Sequence, residues 1–582
     1  MRSLPELAPW PASALREALR EGYTARSLRA DVLAGLVVGV VALPLSMALA
    51  IASGVQPQHG LYTAIVAGFV IAALGGSRVQ VSGPTAAFVV ILAPITSRFG
   101  LEGLMLATMM AGGILILMGL FRLGRLIEFI PHPVTTGFTA GIAVVIATLQ
   151  VRDFLGLRVE TMPEHFVEKA AALWRALPTT RWSDAGIGLF TLALLLVLPR
   201  LTRRIPAPLL ALPLAAAVAA ALARWWPELE VSTIRNRFGS AAMPSGIPSA
   251  APRPILPWLV QDGAHGRLVL DFATFQALFT SALAIAMLGA IESLLSAVVA
   301  DGMTGRKHNP DSELLAQGVG NVAAPFFGGF AATGALARTA TNIRSGAVSP
   351  VASMVHAVTV LGTVVALAPA LGRLPMASMA ALLLVVARNM ADMKHFAFVL
   401  RRAPRSDSVV LLTCFVLTVV FDMVVAVGVG VVLAAALFIE RMRAEAASRL
   451  VAEPHPDVAR RLPRGVLLYE IAGPLFFGAA SRAMAALRTV SSGVDAVVLD
   501  MRSVPFIDAT GMVNLESAVD RLHAMRVFVI LGGLREQPFE ALSRAGWVEH
   551  DAKLALRRSM DQAIDLACLI SDQPSAGAGP AA

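Results

Sequence analysis

Glu292 stands in the apolar run from Leu288 to Val298 with no other charged residue inside it. A carboxyl group withdrawn from water can take up and release a proton, so an acid at membrane depth is an ion-coupling candidate by default. Its structural alternative is a salt bridge to Arg338, the basic residue of another apolar region, or a capped polar contact. A guanidinium out of water is costly unless it is paired or used. Arg338 either adds positive potential for an anion or serves as partner to a carboxylate or a helix-end carbonyl. It follows Ala331-Ala332-Thr333-Gly334-Ala335-Leu336, and a comparable break, Val81-Ser82-Gly83-Pro84-Thr85-Ala86-Ala87-Phe88, stands in the first half of the chain. Each opens a short apolar segment, which is the pattern of a discontinuous helix. The first N–H groups of a helix are unpaired and its start carries about half a positive charge, so two starts meeting at the midplane make an anion site. Thr85, Ala86 and Ala87 on one side and Thr333, Gly334, Ala335 and Leu336 on the other form the expected cradle, small enough for a carboxylate to approach the backbone. The alternative is that these small residues only allow close helix packing. Ser46 and Phe88 are candidates to line the same cavity; a serine bonded to its own helix and a packed phenylalanine are the plainer readings.

Such residues need a membrane around them, and the composition supplies one. Of 582 residues 56% are hydrophobic and only 15% charged, against about 25% charged in soluble domains. Apolar segments near the ~20 residues that cross a bilayer fall at 31–51, 60–75, 84–97, 101–121, 132–150, 183–199 and 205–223. A second series falls at 273–299, 312–328, 333–347, 349–370, 375–391, 407–422 and 423–440. Seven plus seven spans make the second half an inverted repeat of the first, the plan of secondary transporters. Short loops holding Arg122 and Arg125, Arg200, Arg203 and Arg204, Arg306 and Lys307, and Lys394, Arg401, Arg402 and Arg405 alternate with loops poor in charge. Cytoplasmic loops collect Lys and Arg, so both ends are expected inside a bacterial cytoplasmic membrane. The net charge of +9 belongs to these loops rather than to nucleic-acid binding. The mixed-charge stretch from Arg152 to Arg181 is expected as an interfacial amphipathic helix.

The first thirty residues, 1–30, hold several arginines and no apolar core before a small-residue cleavage site, so no removable signal is expected there. Two cysteines exclude a disulfide framework and a four-cysteine metal site, the ten histidines show no metal spacing, and no phosphate-cradling glycine loop appears. Neither metal nor other cofactor is expected, and neither is an enzymatic activity. After a linker at 441–464 the pattern changes to strands at Val466–Ile471, Ala496–Asp500 and Val527–Leu531, alternating with helical patterns near 478–490, 510–524 and 537–545. A small α/β domain is expected over 465–570, with a Pro/Gly/Ala/Ser-rich tail at 571–582. Asp508 is placed to cap the second of its helices.

The run Gly35 to Gly54, the motif Ser82 to Phe88, the stretch Gly289 to Leu295 and the run Pro325 to Arg338 resemble the sulfate permease (SulP) family of anion transporters. Val504-Pro505-Phe506-Ile507-Asp508-Ala509-Thr510-Gly511 resembles the STAS domain these transporters carry. The resemblance covers about 22–568 and implies a core and a gate subdomain within the membrane region, a homodimer, and a cytoplasmic STAS domain able to bind a soluble partner. It also implies a phosphorylatable hydroxyl at Thr510, as in related anti-sigma antagonists, and an acid at Glu292 near the bound anion. Ser296 matches a hydroxyl associated with sodium in bicarbonate-carrying relatives, so the coupling ion is expected to be H+ with Na+ as the alternative. Within the family, Pro57 to Ala64, Gly124 to Glu128, Asp153 to Leu157 and Asp301 to Gly305 are particularly similar to enterobacterial members that carry C4-dicarboxylates. The expected function is proton-coupled uptake of succinate, fumarate or aspartate. Bicarbonate or sulfate transport, an uncoupled anion channel and a membrane sensor acting through the STAS domain are the competing functions.

Overall fold

The computed structural model describes residues 11–125, 131–159, 162–163, 165–202, 206–226, 228–241, 243–260, 271–421 and 423–449, and beyond them 463, 465–471, 473–476, 480, 494–547, 549 and 553–571. The chain separates into two compact units, Met1–Val432 and Leu433–Ala582.

In the first unit a short helix, α1 (Ser13–Arg20), precedes α2 (Ala25–Ala52) and α3 (Pro57–Leu74). A two-residue strand β1 (Ser82–Gly83) leads into α4 (Ala86–Leu120), which Gly100 breaks with a φ of 65° that a side chain would resist. The third and fourth expected segments are therefore the two parts of one interrupted helix. Then come α5 (His132–Leu155), α6 (Phe166–Ala176), α7 (Trp182–Leu201), α8 (Ala207–Trp225) and the short α9 (Ile234–Phe238). The expected amphipathic helix is confined to α6, because Arg152 still belongs to α5 and Gly156 turns the chain in a left-handed conformation. The second half runs α10 (Phe272–Thr304), α11 (Pro310–Ala323), strand β2 (Thr333–Gly334), α12 (Leu336–Arg344), α13 (Val351–Leu371), α14 (Met376–Ala391), α15 (Met393–Arg402), α16 (Arg405–Val420) and α17 (Met423–Arg449), whose residues from Leu433 on are counted in the second unit. Nine helical stretches among the described residues are long and apolar enough to cross a membrane.

Packing sorts the helices into two bundles. α2, α3, α4, α10, α11, α12 and α13 pack mainly on one another, as do α5, α7, α8, α14 and α16. Each bundle takes elements from both halves of the chain, as an inverted repeat requires. Interfaces are built on small residues: a Cβ on Gly60 would lie 2.0 Å from the Ser46 carbonyl oxygen, so α2 and α3 touch backbone to backbone.

In the second unit β3 (Val466–Glu470), β4 (Ala496–Asp500), β5 (Phe528–Gly532) and β6 (Leu554–Leu556) form one parallel sheet in that order, with α18 (Ala509–Ala524), α19 (Glu536–Arg544) and α20 (Met560–Ser571). Val497 and Leu499 of β4 pack with Leu515, Leu522 and Leu542, while Ala496 and Val498 pack with Ala563, Ile564 and Ala567. Both faces are thus covered, which is why β4 reads as a continuous apolar run. The strand β6 and helix α20 extend the expected pattern, and the helix expected near 478–490 falls outside the described residues apart from Ala480.

Candidate functional site

The two sequence breaks meet. β1 and β2 pair antiparallel, Ser82 opposite Gly334 and Gly83 opposite Thr333, and the Ala335 amide donates to the Val81 carbonyl at 2.8 Å. A helix leaves each strand in turn: α4 after extended Thr85 and α12 after extended Ala335. Neither flanking side chain caps its own helix, so the first amides of both receive no acceptor from the cap position. Thr85 could have supplied one, but its hydroxyl donates at 2.8 Å to Glu292 Oε2 on α10.

Lipid offers no partners to exposed backbone, so a non-helical crossing survives only where protein satisfies it. Polar side chains from α11, α12 and α13 do so. Thr339 Oγ1 accepts from the Val81 amide at 3.0 Å and from the Ser296 hydroxyl at 3.2 Å. Asn342 donates to the Val79 carbonyl, Ser353 to the Gln80 carbonyl, and Thr333 to the Gly289 carbonyl. Asn321 receives the Ala332 amide at 2.7 Å and donates back to the Ala332 carbonyl at 2.9 Å. Beneath them Gln317 donates to Ser82 and Glu313, Ser293 to Glu313, and Gln80 to Ser293, while Glu313 Oε2 accepts the amides of Gly76 and Ser77. Gly334 is closely packed here: a Cβ would displace the Gln80 amide, 2.0 Å away, and lie 3.0 Å from the Ser293 Cα.

Arg338 is 2% exposed; its Nη2 donates to the Pro84 carbonyl, and among the described residues its Nε and Nη1 have no partner. The carbonyl it meets belongs to the extended segment before α4, neither a carboxylate nor the end of a helix, and two of its nitrogens keep donors unused. Glu292 bonds Thr85 rather than Arg338. Ala86, Ala87 and Ala335 are buried, Thr85 and Glu292 are half-buried, and Leu336 is 46% exposed, so the crossing is open on the side of Thr85 and Leu336. Phe88 is buried with its ring tip against Gly289 of α10, the packed arrangement. Ser46 is buried as well, but among the described residues its hydroxyl has no partner, its own helix included. Two open helix starts, a buried guanidinium with spare donors and a carboxyl group on an adjacent helix can hold an anion and exchange a proton beside it.

Reasoning from sequence missed the support: Gln80, Ser293, Glu313, Gln317, Asn321, Thr339 and Asn342. A signal was present for three of them, because Glu313, Gln317 and Asn321 recur every fourth residue and line one face of α11. In the second unit Asp508 Oδ1 accepts the Gly511 amide at 2.7 Å and caps α18, with Thr510 exposed in the first turn. Glu128, the end of the stretch that begins at Gly124, lies outside the described residues.

The Sulfate permease family model matches residues 28–414 and the STAS domain model residues 457–563. The chain is 42% identical to the Putative sulfate transporter YvdB of Bacillus subtilis over 90% of its own length and 95% of that protein's. It is 31% identical to the Bicarbonate transporter BicA of Picosynechococcus, covering 85% of this chain and 87% of that one. The overall structure of SLC26A9 matches it with a TM-score of 0.76 over 98% of each chain, at 17% identity, a likeness of fold. On the family match and these relatives, the chain belongs to the sulfate permease family, as a multi-pass membrane anion transporter with a C-terminal STAS domain.

Proposed function

We propose that the protein is a secondary active transporter that takes up C4-dicarboxylates by alternating access, with a proton carried by Glu292. The observation that carries this reading is the Thr85–Glu292 hydrogen bond beside two uncapped helix starts. An anion arriving at those amides lies next to the carboxyl group, so its binding favours the protonated acid and couples the two. Arg338, with two spare donors, adds the second positive element that a doubly charged substrate requires. The likeness of Pro57 to Ala64 and of Asp153 to Leu157 to dicarboxylate carriers supports the choice of substrate. The protein acts in the bacterial cytoplasmic membrane as a homodimer with both ends inside, and its STAS domain binds a cytoplasmic partner, with Thr510 as the modified residue.

Sulfate and bicarbonate compete as substrates, because the relatives at 42% and 31% identity carry those names. With either, Ser296 would stand beside a sodium-coupling position one turn from Glu292. The test is radiolabelled succinate uptake into proteoliposomes with an inside-alkaline gradient, competed by fumarate, aspartate, bicarbonate and sulfate. Accumulation that needs the gradient and is blocked by C4 acids is the expected result. Sulfate or bicarbonate transport without succinate uptake would reassign the substrate and leave the site.

A further inference from the structure

The similar stretch Asp153 to Leu157 has no part in the midplane site, yet it builds a cavity of its own. At the end of α5, Gly156 takes a φ of 63°, and a Cβ there would lie 2.6 Å from Asp184 Oδ2. The turn brings Arg152 and Arg158 to a cavity of about 490 Å³ whose wall also holds Arg181 and Arg237. Four arginines face two lining carboxylates, Asp153 and Glu230. Asp153 is held by Arg237 at 2.5 Å, and Glu230 lies 3.9 Å from Arg181, which also meets Asp184 at 3.3 Å. Among the described residues Arg152 and Arg158 have no ion-pair partner. The cavity therefore has a surplus of positive charge and two guanidinium groups with donors to spare.

A second cavity of about 180 Å³ adjoins it, sharing Arg152, Asp153 and Arg237. Its other walls include Gly54, just beyond α2, and Ser97 of α4, so it lies on the seam between the two bundles. Arg152 stands at the junction. On the orientation proposed above, with Arg122, Arg125 and Arg200 on the cytoplasmic side, α5 starts and α7 ends at that side, which places the end of α5 at the outer face.

We propose that this cavity is a second anion site, taking a divalent oxyanion or small dicarboxylate from the outer solution onto Arg152 and Arg158 before it reaches the midplane. A volume of this size suits a small ligand. Planar guanidinium forks match carboxylate and sulfate oxygens two at a time. A positive funnel between low-dielectric walls raises the local concentration of its counter-ion. The inference adds a site to the transport reading and does not depend on which anion is carried.

The first test uses crystals of the full-length protein soaked in selenate, a sulfate analogue visible by anomalous scattering. A peak within hydrogen-bond reach of Arg152 and Arg158 is expected; no peak at this cavity overturns the site, and a peak kept in the Arg152→Gln/Arg158→Gln variant marks an adventitious ion only and overturns it as well. The second test measures uptake and efflux separately in oriented proteoliposomes, with whichever of succinate, sulfate and bicarbonate the wild type carries. The double variant should raise the uptake KM about tenfold, the loss of a charge-assisted hydrogen bond, with kcat and the efflux KM unchanged. The Arg152→Lys/Arg158→Lys variant should recover part of the loss. An unchanged uptake KM in folded double variant, or an equal rise in both directions, overturns the proposal. Failure of the dicarboxylate reading would appear instead as a wild type that carries sulfate but not succinate.

Discussion

α4 and α12 in the membrane unit and α18 in the STAS domain all begin where a short extended segment ends, but they treat their first turns differently. Asp508 closes α18 by accepting the Gly511 amide. At α4 the threonine in the same position gives its hydroxyl to Glu292, and at α12 the position is an alanine with nothing to offer. A capped start is finished locally and suits a soluble scaffold. An uncapped start inside a membrane is held by its surroundings and remains able to accept an anion. The difference separates a site from a strut more sharply than the shared glycine and alanine content does.

The largest effect is expected at the acid. Glu292→Gln should fold and bind anion but abolish pH-driven accumulation, leaving exchange at equilibrium; unchanged accumulation ratios would remove Glu292 from coupling. Next, Ala335→Ser gives α12 the cap that it lacks, and the new hydroxyl should compete with substrate for the open amides. We expect a rise of about fivefold in KM, from a cap energy near 1 kcal/mol, measured as initial uptake rates; an unchanged KM would mean that those amides do not meet the substrate. Asp508→Ala should cost the STAS domain about 1 kcal/mol of stability and leave the uptake KM alone, read from thermal unfolding of the full chain. Thr510→Ala, on an exposed first-turn residue, should change stability by less than about 0.5 kcal/mol, so any effect on transport in cells would report modification rather than folding.

A last, smaller contrast is with the surface. Glu21 pairs with Arg78 at 2.6 Å and Arg306 at 2.7 Å, and these two guanidinium groups, Arg78 first, hold its carboxyl at about 2 instead of 4.5. The folded pKa lies below the unfolded one, so the pair's contribution is present above pH 4.5 and is lost as pH falls through about 2. Protection of the α1 amides from exchange, after correction for the intrinsic pH dependence of exchange, should therefore be unchanged between pH 7 and pH 5, and Glu21→Gln should lower it slightly. Exposed pairs contribute little, so a large change would mean that α1 carries more than its contacts show.

Hydropathy and loop charge made most of the membrane unit legible, because spans and breaks are local patterns. Thr85, Glu292 and Arg338 were legible for a related reason: a charged residue or a paired interruption stands out against apolar neighbours. The choice between roles was not. Whether Arg338 meets a carboxylate or the Pro84 carbonyl depends on strands from opposite halves pairing in one register, which no window along the chain contains. The same holds for Gln80 and Thr339, ordinary polar residues whose partners lie in the other half. In the STAS domain β6 was missed because three residues between loops carry too little periodicity to declare a strand.

The pairing of β1 with β2 also has a bearing on how the protein is made. Gln317 reaches Ser82 from 235 residues further along the chain, and the Val81 amide waits for Thr339 at a separation of 258. A ribosome delivering the chain from its N-terminus must insert the first half with this crossing unpaired, its extended backbone then requiring water or an insertion chaperone at membrane depth. The first half is thus an assembly intermediate rather than a module, and a chain truncated before α10 should be cleared by quality-control proteases instead of persisting as a half-transporter.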